Sequence, residues 1–307
     1  MIAFAIKSSH ERGMGHLYRS IRISKSLKSK KIIFFINNHK KSLQILKDNK
    51  ILFKVIDYSK KDWIDKIQKK FQISTWINDR LNTSVAENIK LYKKIKLINF
   101  DDLGGGARYA HVNICPLIFK KKIQGKKIFQ GIKYLPIEKI KSKYIRKRTK
   151  IKNILISMGA TDNRNINLKL LKNLNFKKFR FTLINGPGQK NSFKPRKNSF
   201  IIKENVKNIY DEFYKSDLLI CGGGMTPFEA ASSGLPAIII AAEKFEIDVG
   251  RELSKLGLSS FAGYYKDLNY KQINFNLDIK NLSKNCLKIL DTKGLDRIVK
   301  IIKDDTK

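Results

Sequence analysis

Short apolar runs alternate with longer amphipathic stretches along nearly the whole chain. The runs at 2–6, 31–36, 53–56, 74–77 and 96–100 are too short for buried helices and predict strands, whereas 15–28, 41–48, 62–71 and 84–93 carry apolar residues at helical spacing. Strands alternating with helices imply a parallel sheet covered on both faces. From 125 to 150 the pattern loosens into basic, irregular sequence around LPIEKIKSKYIRKRTK, which predicts an interdomain connection. The alternation then restarts, with strands expected at 153–157, 180–184, 199–202, 218–221 and 237–240. Helices are expected at 165–173, 206–215, 228–233, 247–256 and 282–290. The expected organisation is α/β: a Rossmann-like domain over 1–140, a second over 150–290, and a C-terminal tail over 291–307. Two such doubly wound domains would face a cleft at the carboxyl ends of their sheets, where ligands of these folds bind.

Composition narrows the setting. A chain of 307 residues with 42% apolar content has enough material for two cores. Cys115, Cys221 and Cys286 lie far apart, without metal-ligand or redox spacing, which fits a reduced, cytoplasmic protein. The N-terminal apolar run is too short for a secretory signal, and 235–242 falls well short of the roughly 20 residues that span a bilayer. The net charge of +38 would ordinarily direct attention to nucleic acid. Here the charge is mostly lysine, spread over nearly every element, and isoleucine and asparagine are abundant with it, as an AT-rich coding bias produces. The denser patches at 120–127 and 139–152 interleave no aromatics in the manner of a nucleic-acid module. No specific nucleic-acid partner is expected; the field would attract anionic substrates or give loose, salt-sensitive contact with an acidic membrane surface.

Two segments carry the candidate chemistry. In CGGGMTPFEAASSGLP a strand runs into Gly222, Gly223 and Gly224, then Met225, Thr226 and a helix read as beginning at Phe228 and Glu229. Glycines let the backbone approach a ligand, and free N–H groups at a helix start favour an anion such as a diphosphate. Glu229, about one turn into the helix, can accept hydrogen bonds from ribose hydroxyls. The same residues also fit an ordinary strand-to-helix turn. The second segment, SSHERGMGHLYRS, follows the first strand: Gly13 and Gly15 bracket a turn, His16 starts a helix, and Arg19 lies one turn along the same face. His16 reads either as a general base or as a packing histidine. Asp101 and Asp102 close the fifth strand; adjacent carboxylates point to opposite sides, so at most one faces a cleft. In SMGATDNRN, Asp162 either closes over a ligand or caps its helix. His10, His39 and His111 form no metal set, and no metal or cofactor is expected.

GMGHLYR (13–19), DDLGGGARYA (101–110), SMGATDNRN (157–165) and GGGMTPFEAASSGLP (222–236), in this order, resemble the nucleotide-sugar hydrolase family of pseudaminic acid biosynthesis and its relatives, the spore-coat polysaccharide proteins described as predicted glycosyltransferases. The resemblance covers about 1–263 and implies the GT-B fold. It implies His16 as catalytic base and Gly222, Gly223, Gly224, Thr226 and Glu229 as the uridine-nucleotide site. Gly13, Gly15, Arg19, Asp101 and Asp162 are the expected substrate-binding residues. Two loops depart from the family: AAEKFEIDVG stands where hydrolases show an Asn-Gln pair, and NICPLI places Cys115 where relatives have an asparagine. The expected function is hydrolysis of a UDP-linked amino or deoxy sugar for nonulosonic acid or surface-glycan synthesis, with the UDP-sugar as partner and no assigned oligomeric state. The alternatives are a glycosyltransferase using the same donor and, from another class, a basic nucleic-acid-binding protein.

Overall fold

Nearly every apolar run enters a parallel sheet in the computed structural model, which describes residues 1–8, 14–29, 31–119, 122–174, 178–186, 200–204 and 206–304. In chain order the elements are β1 (Ile2–Ile6), α1 (Gly15–Leu27), β2 (Ile32–Ile36), α2 (Lys40–Asp48), β3 (Phe53–Val55), α3 (Trp63–Lys70), β4 (Thr75–Asp79), α4 (Val85–Tyr92), β5 (Lys96–Phe100), β6 (Val112–Cys115) and β7 (Lys127–Gln130). There follow β8 (Asn153–Ser157), α5 (Ile166–Asn173), β9 (Arg180–Asn185), β10 (Phe200–Glu204), α6 (Ile209–Lys215), β11 (Leu218–Cys221) and α7 (Thr226–Ser232). The chain continues with β12 (Ala237–Ala241), α8 (Lys244–Lys255), β13 (Ser259–Tyr264), α9 (Ile279–Ile289) and α10 (Gly294–Lys303). Two compact units result. Unit 1 comprises 1–138 with the C-terminal segment from 293, and unit 2 comprises 139–292.

Unit 1 holds a seven-stranded sheet ordered β3-β2-β1-β4-β5-β6-β7, every pair parallel. Unit 2 holds a six-stranded sheet ordered β10-β9-β8-β11-β12-β13, again parallel throughout. In each, the strand order reverses once, between β1 and β4 and between β8 and β11. Those reversals matter because connections leave the two strands towards opposite faces and open a crevice at their carboxyl ends. The central strands β5, β11 and β12 are buried along their whole length, the pattern of a sheet covered on both sides.

Three strands have no counterpart in the hydrophobic pattern. β6 is interrupted by Asn113, whose amide donates to Asp102 O and Gln124 O at 2.9 Å, so its apolar run is short. β7 and β13 are edge strands, incompletely buried and therefore not selected for a continuous apolar sequence. β4 also runs two residues further than expected, through Asn78 to Asp79. The stretch read as an interdomain connection contains β7 and two single-turn 3-10 segments. The start of the expected strand at 199 lies outside the described residues.

The segment expected as a tail contains α10, which belongs to unit 1. Leu295, Ile298 and Ile302 supply its buried face. A Cβ on Gly294 would overlap the Leu135 carbonyl oxygen at 2.1 Å, so the helix start packs directly on backbone. Lys96, buried on β5, donates from Nζ to Ile301 O at 2.9 Å, Ile302 O at 3.2 Å and Asp304 O. A cation at a helix C-terminus satisfies carbonyls that lack intrahelical partners and complements the dipole. Unit 2 uses the same device. Arg148, 1% exposed, donates to Phe213 O at 2.7 Å, Ser216 O at 3.3 Å, Ser233 O and Arg146 O, gathering the ends of α6 and α7. Burial, then the neighbouring Arg146, push its pKa down to about 9, so it stays charged at neutral pH. Among the described residues no helix is long and apolar enough to cross a membrane.

Replacing Lys96 by methionine keeps the apolar stem and removes the charged donor. The expected loss is about 2 kcal/mol in urea denaturation, with earlier proteolytic release of the C-terminal segment than in the wild type. Unchanged stability would show that α10 is held by its apolar face alone.

Candidate functional site

In unit 1 the carboxyl ends of β1 and β4 meet at the order reversal, and α1 starts there with no side-chain cap. His16, its second residue, lies with Nδ1 2.6 Å from Asp79 Oδ1. A carboxylate only accepts, so the ring donates from Nδ1 to Asp79, and in the neutral form of the ring the lone pair is then on Nε2, the tautomer a base requires. The His16 side chain is 16% exposed and Asp79 is fully buried. Arg19 and Ser20, three and four residues along the helix, reach the same carboxylate. Arg19 Nε donates to Asp79 Oδ2 at 2.9 Å, its Nη2 to Oδ1 at 2.5 Å, and Ser20 Oγ to Oδ2 at 3.0 Å. Arg19 Nη1 donates to Asp101 Oδ2 at 2.5 Å. The result is a chain of alternating charge from Asp101 through Arg19 to Asp79, ending at the imidazole.

The electrostatics follow from that order. Burial by itself would raise the Asp79 carboxyl, but Arg19 and then His16 outweigh it and hold the group well below the usual carboxylate range. Burial would likewise lower the Arg19 guanidinium, and the two aspartates more than offset this. Arg19 is 4% exposed and donates to both Asp79 and Asp101, so it braces the His16–Asp79 pair. Asp101 holds the far side of Arg19. It sits at φ 48°, its N–H donates to Ile114 O at 3.0 Å, and Oδ1 accepts from Leu117 N at 3.3 Å. Asp102 points elsewhere, accepting from Thr83 N, Thr83 Oγ1, Asn99 Nδ2 and Gly104 N, and burial pushes its carboxyl up. Gly15 opens α1 with free space where a Cβ would stand. Gly13 lies outside the described residues.

The residue that sequence reasoning missed is Asp79. Its signal was present in TWIND, where a carboxylate closes a strand next to the first one, but the apolar run was read as ending at Ile77.

In unit 2 the glycine turn leaves β11 beside β8, again at the order reversal. α7 begins at Thr226, two residues earlier than expected, because Pro227 fits a first helical turn, where its missing N–H costs no bond. The first helical bonds are Phe228 N and Glu229 N to Met225 O, both at 3.1 Å, so the N–H groups of Gly224, Met225 and Thr226 precede any helical acceptor. The three glycines have different reasons to be there. A Cβ on Gly223 would stand 2.7 Å from Glu246 Cβ and 2.9 Å from its carbonyl oxygen, whereas one on Gly224 would meet nothing within 4 Å. Gly223 is thus required by packing, and Gly224 faces open space. Glu229 is half-buried.

The segment after β8 borders this turn. Gly159, at φ 87°, has a Cβ position 4.0 Å from Thr226 Oγ1, and the Gly186 backbone packs against the Gly159 carbonyl so closely that no side chain fits. Asp162, expected at the substrate, takes the capping role: Oδ1 accepts from Ile166 N at 2.9 Å and Oδ2 from Asn167 N at 2.8 Å. Burial raises its pKa despite those bonds. A surface cavity of about 540 Å³ lies between α8, β13 and the start of α9, and its lining includes none of these residues. Among the described residues no group of three or more His, Cys, Asp or Glu side chains is placed to hold a metal ion.

No family model matches the chain. An uncharacterized protein of Methanocaldococcus jannaschii is 27% identical, covering 98% of this chain and 69% of that protein. The spore coat polysaccharide biosynthesis protein SpsG of Bacillus subtilis is 19% identical, covering 96% and 95%. Among solved structures, MurG of Acinetobacter baumannii superposes with a TM-score of 0.69 at 14% identity, over 98% of this chain and 99% of that one. Spinosyn rhamnosyltransferase SpnG, complexed with spinosyn aglycone, gives 0.62 at 12% identity, over 99% and 95%. The chain has the GT-B fold of two Rossmann-like units.

Two outcomes test the site as a folded object. Asp79 has a native pKa below its unfolded value of about 3.9, so its contribution is present above that pH and is lost as the pH falls towards the native value. Asp79→Asn should cost about 3 kcal/mol at pH 7, and its urea midpoint should fall less between pH 5 and pH 3 than the wild type's. Gly223→Ala should lose about 2 kcal/mol through overpacking, while Gly224→Ala stays within about 0.5 kcal/mol of the wild type. Equal losses for the two glycines would contradict the distinction drawn between them.

Proposed function

We propose that the chain is a glycosyltransferase that moves a sugar from a nucleoside diphosphate donor to an acceptor hydroxyl in surface-polysaccharide synthesis. The observation that carries this reading is the His16–Asp79 pair at the order reversal of unit 1, with Nε2 left as the free nitrogen. In this scheme His16 Nε2 accepts the proton of the acceptor hydroxyl as its oxygen bonds to the anomeric carbon. The bond from that carbon to the diphosphate breaks, and the nucleoside diphosphate leaves with the electron pair. Asp79 stabilises the imidazolium that forms, and Arg19 with Asp101 keeps Asp79 in place. Positioned acid–base catalysis of this kind contributes about 10²–10⁴-fold.

Unit 2 takes the donor in the same scheme. The unengaged amides of Gly224, Met225 and Thr226 receive the diphosphate, and the developing charge falls on oriented N–H groups at no reorganisation cost. The open space over Gly224 supports this assignment, because the fold itself does not require a glycine there. Glu229 accepts from the ribose, and uridine is the base implied by the motif resemblance.

The GT-B fold and the likeness to a polysaccharide biosynthesis protein support transfer better than the hydrolysis expected from the motifs. The loop AAEKFEIDVG, which lacks the Asn-Gln pair of the hydrolases, points the same way. Hydrolysis of the same donor is the second outcome of one experiment. Purified protein incubated with UDP-sugars should release UDP only when a glycan acceptor is added, and His16→Ala should lower that rate by about 10²–10⁴-fold while UDP still binds. Stoichiometric free sugar without acceptor would establish hydrolysis; an undiminished rate in His16→Ala would remove His16 as the base.

A further inference from the structure

We infer that Glu246 takes up a proton when a nucleoside diphosphate binds the glycine turn of unit 2, so that pH sets nucleotide affinity through a carboxylate beneath the turn. The inference rests on the donor site proposed above. Glu246 is the third residue of α8, where its carboxylate closes a capping box with Glu243. It accepts from Ala242 N at 2.7 Å and from Glu243 N at 3.4 Å, and the Gly223 N–H also favours its charged form. A Cβ on Gly222 would lie 3.6 Å from both carboxylate oxygens, and one on Gly223 would collide with the Glu246 backbone. The carboxylate therefore lies against the turn itself, with no layer of side chains between.

The charged and titratable neighbours do not neutralise it. On α8, Glu243 is a second carboxylate, and its own partner is Arg164, at 2.7 Å. Lys244 and Asp248 share that helix, and Glu229, a further carboxylate, lies on α7. From β11 the nearest titratable group is the buried Cys221 thiol, kept protonated first by burial and then by the Glu246 charge. From the loop after β8 comes the Met158 methyl, 3.6 Å from the Gly222 Cβ position. Among the described residues no lysine, arginine or histidine forms an ion pair with Glu246. Burial already raises its pKa, with the backbone N–H groups opposing this in part. A diphosphate on the amides of Gly224 to Thr226 adds negative charge to the same turn, at a place where water cannot screen it fully. Protonation relieves the repulsion and leaves one carboxyl oxygen to accept from Ala242.

By linkage, a ligand that raises a pKa binds more tightly when the group is protonated, so affinity should fall as pH rises. The test is isothermal titration calorimetry of wild type and Glu246→Gln with UDP between pH 5 and pH 8, each in buffers of different ionisation enthalpy. UDP's own terminal phosphate titrates in both proteins and cancels in the difference. Wild type should take up appreciably more protons per UDP than Glu246→Gln, approaching one, and its affinity should fall relative to the variant by up to about tenfold per pH unit. Equal uptake in the two proteins, with UDP bound, overturns the inference alone. If neither protein binds UDP, the donor site is wrong and the inference goes with it. Should Glu246→Gln fail to fold, wild type is titrated with UDP-glucose, whose diphosphate diester does not titrate in this range; binding without proton uptake then overturns the proposal.

Discussion

A single buried carboxylate organises unit 1. Asp79 has no access to water, and an isolated charge there would be costly. It is tolerated because Arg19, Ser20 and His16, all from one face of α1, converge on its two oxygens. The same bonds fix where α1 sits against β4 and which ring nitrogen of His16 is free. The pairing that makes the buried charge acceptable also orients the imidazole proposed as the base. Asp101 extends the arrangement to β5 by binding the far side of Arg19.

Unit 2 solves a different problem with backbone. Among the described residues the amides of Gly224, Met225 and Thr226 precede the first bonded amides of a short helix, and α8 packs so tightly beneath the turn that Gly223 admits no side chain. The support is rigid but carries a negative charge of its own, in Glu246. Elsewhere in the unit, buried charge is handled as in unit 1, by giving it many partners. Arg148 ends two helices at once, as Lys96 ends α10.

Much of this was legible in the sequence because parallel sheets covered on both faces demand continuous apolar runs. Those at β1, β5, β8 and β11 coincide with the expected strands. The strands that escaped were edge strands or contained a polar residue with a structural task, as Asn113 in β6 has. α10 escaped because its apolar face, built on Leu295, Ile298 and Ile302, was read as part of a tail. At the site, His16 and Arg19 stood out by their helical spacing and the glycines by their number. What spacing could not convey was partnership. Asp79 comes from a strand sixty-three residues beyond His16, and only the sheet order places it there. Asp162 shows the opposite limit: spacing could not reveal that this carboxylate, near a promising turn, accepts from the backbone N–H groups of Ile166 and Asn167.

Sugar transfer as proposed uses the glycine turn as the donor site and His16 as the base. A crystal structure with an intact UDP-sugar bound tests this most directly: the diphosphate oxygens should lie within hydrogen-bonding distance of the Gly224, Met225 and Thr226 amides. A donor bound away from the glycine turn would contradict it.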